Sequence, residues 1–175
     1  MREAVNSKTH FTHVCTTELI TIPEFLFLED LVSSFKKDFK PFAFSDEFFK
    51  EKNYSSSKMK MFSGVPKYIH LFSFNKSSSL EDSVRFISKN ESTILPGASG
   101  LLIAWQFLKD KIPNNALLYG FDERKSLYHS KSGNGAFLVP CINTHNLGLI
   151  AGCYNVDSIP YESEMGKYLF YFDDI

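Results

Sequence analysis

The side chains best suited to chemistry lie mostly in the second half of the chain. Pro96, Gly97, Ala98, Ser99 and Gly100 make a small-residue turn that leads into an apolar run. A serine where a turn enters a helix can act as a nucleophile, and the free amides of a helix's first turn can hold an anion. Leu101 stands where the second glycine of a G-x-S-x-G elbow belongs, and no Gly-Lys-Ser/Thr follows to complete a phosphate loop. Gly97, Ala98, Ser99 and Gly100 are therefore anion-site candidates whose simplest role is to let the following helix pack closely. Asp122, Glu123 and Lys125 offer a carboxylate–lysine set of the kind that assists phosphodiester cleavage with a metal. Such a site needs a further acidic residue beside it. A polar hairpin turn accounts for these residues as well.

Cys141, His145 and Cys153, with His129 as a fourth, have the right atoms for zinc. Only Cys141 and His145 approach the paired spacing of a closed site, so no metal or other cofactor is expected. Cys141 with His129, or Cys15 with His13, can form a thiol–imidazole nucleophile pair. An enzyme built on this chain would draw on Ser99, Asp122, Glu123, His129 and Cys141. His10, Thr12 and His70 resemble in part the paired His-x-Thr/Ser strands of two-histidine phosphoesterases. After His70, however, the hydroxyl is Ser73, three residues on and so on the opposite face of a regular strand. That match fails. Lys58, Lys60, Phe62, Lys67 and Tyr68 interleave basic and aromatic side chains as a stacking platform for single-stranded nucleic acid does. A net charge of −1, and sixteen Lys against three Arg, argue against that partner.

The elements that must position these residues read as one α+β domain over 1–175. A helical N-terminal half packs on a C-terminal antiparallel meander. Phe25, Leu28, Val32, Phe35 and Phe39 form one apolar stripe and predict a helix over 22–38 with Thr21 as its cap. Ser78 and Glu81 make a capping box for a helix over 80–89. The run after Gly100 is apolar nearly all round, which predicts a buried central helix over about 98–112. Strands are expected over 13–20, 68–74, 116–122, 126–130, 136–143 and 147–155, with 167–172 an edge strand or a short helix. Residues 50–76 are the loosest, rich in Lys and Ser.

Composition narrows the function classes. Of the 175 residues, 43% are hydrophobic and 22% charged, a globular balance with room for a core. The longest purely apolar stretch, 101–105, is far too short to cross a bilayer. The first residues lack the apolar centre of a secretory signal, and three widely spaced cysteines suit reduced thiols, so a cytoplasmic location is expected. Eighteen Phe supply abundant material for a core or an interface. The leading expectation is a protein-binding module of the inhibitor, immunity or accessory type. It acts through an aromatic-rich surface or an edge strand on another protein, or on itself as a homodimer. A small enzyme centred on 96–100 and single-stranded nucleic-acid binding through 54–68 are the alternatives.

Overall fold

Aromatic side chains are concentrated in the two longest strands of this chain, PKYIHLFSF and GKYLFYFD. The computed structural model describes residues 10–24, 27–35, 49–50, 54, 63–129, 137–145, 148–151 and 165–174. In chain order the strands are β1 (Phe11–Thr16), β2 (Ile20–Thr21), β3 (Pro66–Phe74), β4 (Thr93–Ile94), β5 (Ala116–Tyr119), β6 (Tyr128–His129), β7 (Phe137–Leu138), β8 (Pro140–Asn143), β9 (Gly148–Ala151) and β10 (Gly166–Asp173). The helices are α1 (Leu28–Phe35), α2 (Leu80–Ile87) and α3 (Gly97–Leu108). One eight-stranded sheet runs β1-β3-β10-β5-β8-β9, with β2 also on β3 and β4 also on β10. β10 and β5 run parallel, every other pair in this sheet is antiparallel, and β6 and β7 form a small ribbon of their own.

Strand alternation divides the core between the two faces of the sheet. Ile69, Leu71, Ala116, Leu118, Ile142, Phe170 and Phe172 face α1 and α3. Leu117, Tyr119, Cys141, Leu169, Phe72, Phe74 and Tyr171 face α2 together with Phe121, Leu127 and Val139. The α+β class holds; among the described residues the N-terminal half supplies β1, β2 and the central strand β3 as well as α1 and α2. The C-terminal half is not a simple meander. Its last segment, read as an edge strand or a short helix, is a strand inserted between β3 and β5, with apolar residues on both of its faces.

Local chemistry explains the helix boundaries. α1 begins at Leu28, not at 22, because Ile20, Thr21 and Ile22 belong to the sheet margin. Ile22 is fully buried, and its carbonyl accepts from Gly64 N at 2.8 Å. Asp30 then closes the first turn by accepting from Phe27 N at 2.8 Å. Leu28, Leu31 and Val32 are core, while Phe27 is exposed. α2 is capped by Ser79, one residue after the expected Ser78, with its hydroxyl accepting from Asp82 N at 3.0 Å. α3 is the buried helix that its composition predicts, with every residue except Gln106 and Phe107 buried.

The small residues that open α3 serve close packing. A Cβ on Gly120 would lie 2.4 Å from the Gly97 carbonyl oxygen and 2.9 Å from Leu101 Cβ. Gly120→Ala is expected to cost about 1–3 kcal/mol, the range for overpacking a tight core. Gly64→Ala, at φ +77 with open space around it, should cost only about 1 kcal/mol of backbone strain. Urea unfolding of the two variants checks the contrast, and equal losses would contradict it.

Candidate functional site

The β1–β3 register contains the feature that assembles the site. It runs Phe11↔Phe74, Thr12↔Ser73 and His13↔Phe72, then shifts to Cys15↔Leu71 and Thr16↔His70. Val14 is the extra residue of a β-bulge. In a regular strand His13 and Thr16, three apart, would point to opposite faces. The bulge returns Thr16 to the face that carries His13 and His70. It also turns Cys15 toward the core beside Leu71 and leaves Val14 outward, 43% exposed.

A chain of polar side chains results. Thr16 Oγ1 lies 3.0 Å from His13 Nε2 and 2.9 Å from His70 Nδ1. His70 Nε2 lies 3.6 Å from Asp173 Oδ2, and each side chain of that pair is 22% exposed. Tyr171 packs on the His70 ring at 5.0 Å, and Phe72 meets the His13 ring edge-on at 5.2 Å. Thr16 has one hydroxyl proton and can donate to only one imidazole. With both rings neutral, the tautomer that turns the His70 Nε2 proton toward Asp173 sets the direction of the network. His13 Nε2–H donates to Thr16, the Thr16 hydroxyl donates to His70 Nδ1, and His70 Nε2–H faces Asp173. A proton added to His70 reverses the Thr16 bond. Burial lowers the His70 pKa, against the raising effect of Asp173, and His13 lowers it further. Asp173 Oδ1 is buried with no hydrogen-bond partner among the described residues, and Oδ2 carries the contact with His70. Burial, then the Asp173 charge, raises the Tyr171 pKa and keeps that phenol protonated.

The same part of the sheet also exposes apolar side chains. Val14, Leu19 at 46% exposure and Val65 at 39% lie along β1, β2 and the start of β3. On the sheet face, the ring of Phe72 leads to Phe86 at 4.9 Å, and Phe86 to Phe11 at 4.5 Å. Phe86 and Phe11 line a groove of about 390 Å³ together with His10, Asp82, Arg85 and Lys89.

The residues singled out in the sequence are dispersed. Gly97 and Asp122 meet, with Asp122 Oδ2 only 2.7 Å from where a Cβ on Gly97 would stand. Gly97 N donates to Phe121 O and Gly100 N to Pro96 O, so two amides of that turn are engaged within the protein. Ala98, Ser99 and Gly100 are buried, and Ser99 Oγ has no hydrogen-bond partner among the described residues. Glu123 forms a surface ion pair with Lys125 at 2.7 Å, and the bond raises the Lys125 pKa. Cys141 is fully buried on the face opposite α3, so the sheet separates it from Ser99. The backbone of His129 pairs with Phe137 in the small ribbon, His145 is exposed, and Cys153 lies outside the described residues. Among the described residues no group of three His, Cys, Asp or Glu is placed to hold a metal.

Lys58, Lys60 and Phe62 also lie outside the described residues, and Tyr68 is half-buried. Lys67, expected as a solvent-facing cation, is instead buried on β3 with its ammonium paired to Asp174. Burial lowers its pKa while Asp173 raises it. Thr12 donates to Asn75 at 2.9 Å, away from His70. Among the described residues no helix is long and apolar enough to cross a membrane. No protein-family model, characterised protein or solved structure matches the chain.

His70 binds its proton less tightly in the folded protein than at its ordinary value of 6.5. The unfolded chain therefore takes up the proton first, and native stability falls as pH drops from about 6.5 toward the lowered native pKa, levelling off below it. NMR titration of the imidazole C–H signals should give His70 a midpoint below 6.5. His70→Gln should flatten that part of the stability profile. A midpoint at or above the ordinary value would contradict the burial argument.

Proposed function

We propose that the protein is a binding module that takes an extended segment of another protein, or of a second copy of itself, along the outer edge of β1. The observation that supports this reading is the exposure of two apolar side chains, Val14 on β1 and Leu19 between β1 and β2. Exposed apolar surface beside an open strand edge is the usual material of strand-addition interfaces. Among the described residues no strand pairs with the outer side of β1. The bulge at Val14 interrupts that edge, which opposes indiscriminate pairing and favours a partner of matching register.

An aromatic face has less support than an edge. Phe11, Phe49, Phe74, Phe121, Phe170 and Phe172 are all buried, so their apolar surface is committed to the core. A cytoplasmic location belongs to the proposal, in keeping with the free thiol of Cys15.

Covering the exposed half of a Val or Leu side chain contributes about 1 kcal/mol. Val14→Lys with Leu19→Glu should therefore weaken association at least about tenfold, since each 1.4 kcal/mol is a factor of ten. Sedimentation across a concentration series reads self-association, and cross-linked capture from the source lysate reads a foreign partner. Association that survives the double substitution, with circular dichroism unchanged, rejects the edge as the docking site. So does the absence of any association in the unsubstituted protein.

A further inference from the structure

We propose that Thr16, His70 and Asp173 form a hydroxyl–imidazole–carboxylate chain that hydrolyses carboxylic esters with an apolar, ring-sized acyl group. The inference goes beyond edge docking and does not depend on it. Its basis is geometric. A nucleophile needs a base within hydrogen-bond reach and a third group to orient that base. Thr16 Oγ1 is 2.9 Å from His70 Nδ1, and Asp173 Oδ2 faces His70 Nε2 at 3.6 Å. The nearby carboxylate charge thus favours the ring proton on Nε2, which leaves the Nδ1 lone pair toward the threonine hydroxyl. Burial keeps His70 neutral, as a base must be. His13 Nε2–H, 3.0 Å from Thr16 Oγ1, directs the hydroxyl proton toward His70.

The chemistry closes with water as the only co-reactant. Thr16 Oγ attacks the acyl carbon, and its proton passes to His70 Nδ1. The bond to the leaving oxygen breaks, and that oxygen leaves as an alcohol with the proton from His70. Water then attacks the acyl-threonine ester with His70 as base. The Oγ–acyl bond breaks, the proton returns to Thr16, and a carboxylic acid departs. Thr16 and His70 are the catalytic residues, and Asp173 and His13 position them. The acyl class follows from the neighbouring surface. Contacts from His13 through Phe72 to Phe86 join the hydroxyl to the groove floored by Phe11 and Phe86. A groove of about 390 Å³ is wide enough for one aromatic ring.

The test uses the full chain and p-nitrophenyl benzoate, followed by intact-mass and peptide-fragmentation spectrometry. One benzoyl group on Thr16 is expected, retained at Ser in Thr16→Ser and absent from Thr16→Val. The acylation rate should fall at least about a hundredfold in His70→Gln, the lower range of a general base's contribution. The rate should rise with pH through the His70 titration. Asp173→Asn, which removes the charge that raises the His70 pKa, should move that midpoint to lower pH. Unfolding curves confirm that each variant is folded. Benzoylation confined to lysine or cysteine, equal labelling of Thr16→Val, or no labelling of the unsubstituted chain would overturn the proposal. An unmoved midpoint in folded Asp173→Asn would overturn the role of Asp173.

Discussion

The antiparallel pairing of β3 with β10 is the interaction on which the rest of the molecule depends. Its register runs from Tyr168↔Ser73 to Asp173↔Tyr68, and side chains of these two strands enter both core clusters. One outer side of the pair carries β1 and β2, and the other carries β4 and β5 with β8 and β9 beyond. The last strand in the chain therefore joins the two parts of the sheet. Until residues 166–173 are in place, β1 with β3 and β5 with β8 and β9 have no ladder in common. Bringing together ends so distant in sequence is a slow, entropically costly step, which burial on two faces at once must offset.

The same pairing distributes charge. Asp173 and Asp174 are neighbours, and strand alternation sends them to opposite faces. Asp173 meets His70 on the α2 side, while Asp174 meets the buried Lys67 on the α1 and α3 side. A buried ammonium is costly unless it is paired. Asp174, half exposed at the end of the strand, can meet it without being fully desolvated itself. Two consecutive carboxylates that look like a solvated chain end thus serve two separate interiors.

How much of this could be read from the sequence follows the same physics. α3 was legible because a helix apolar all round has only one place to go, and α2 because its stripe and its serine cap agree to within one residue. β3 was legible as a strand, although it lay in the stretch that looked loosest. β10 was legible as a strand but not as a central one. Lys167, Tyr168 and Tyr171 suggest a polar side, and only the structure shows Lys167 buried, with its pKa lowered by that burial. α1 starts later than expected because Ile22, placed in the helix by the Thr21 cap, is held in the core beside β2. The polar chain was not legible at all. His13, Thr16 and His70 were each visible, but regular alternation sets His13 and Thr16 on opposite faces, and nothing in the residue types announces a bulge at Val14.

The bulge also decides how one strand can carry two proposed roles. A strand has two faces and an edge, and without the extra residue Val14 would take a place in the alternation. As the extra residue it is turned outward, while His13 and Thr16 on either side face the sheet surface with His70. A docked segment would lie along the edge, in the direction of backbone hydrogen bonding. An ester would approach from above the face, over Phe72 and Phe86. These directions are perpendicular in a pleated sheet, so occupancy of one does not sterically require vacancy of the other. Coupling between them can arise only through the bulge itself. A partner that straightens β1 would put Thr16 back on the opposite face and break its contact with His70.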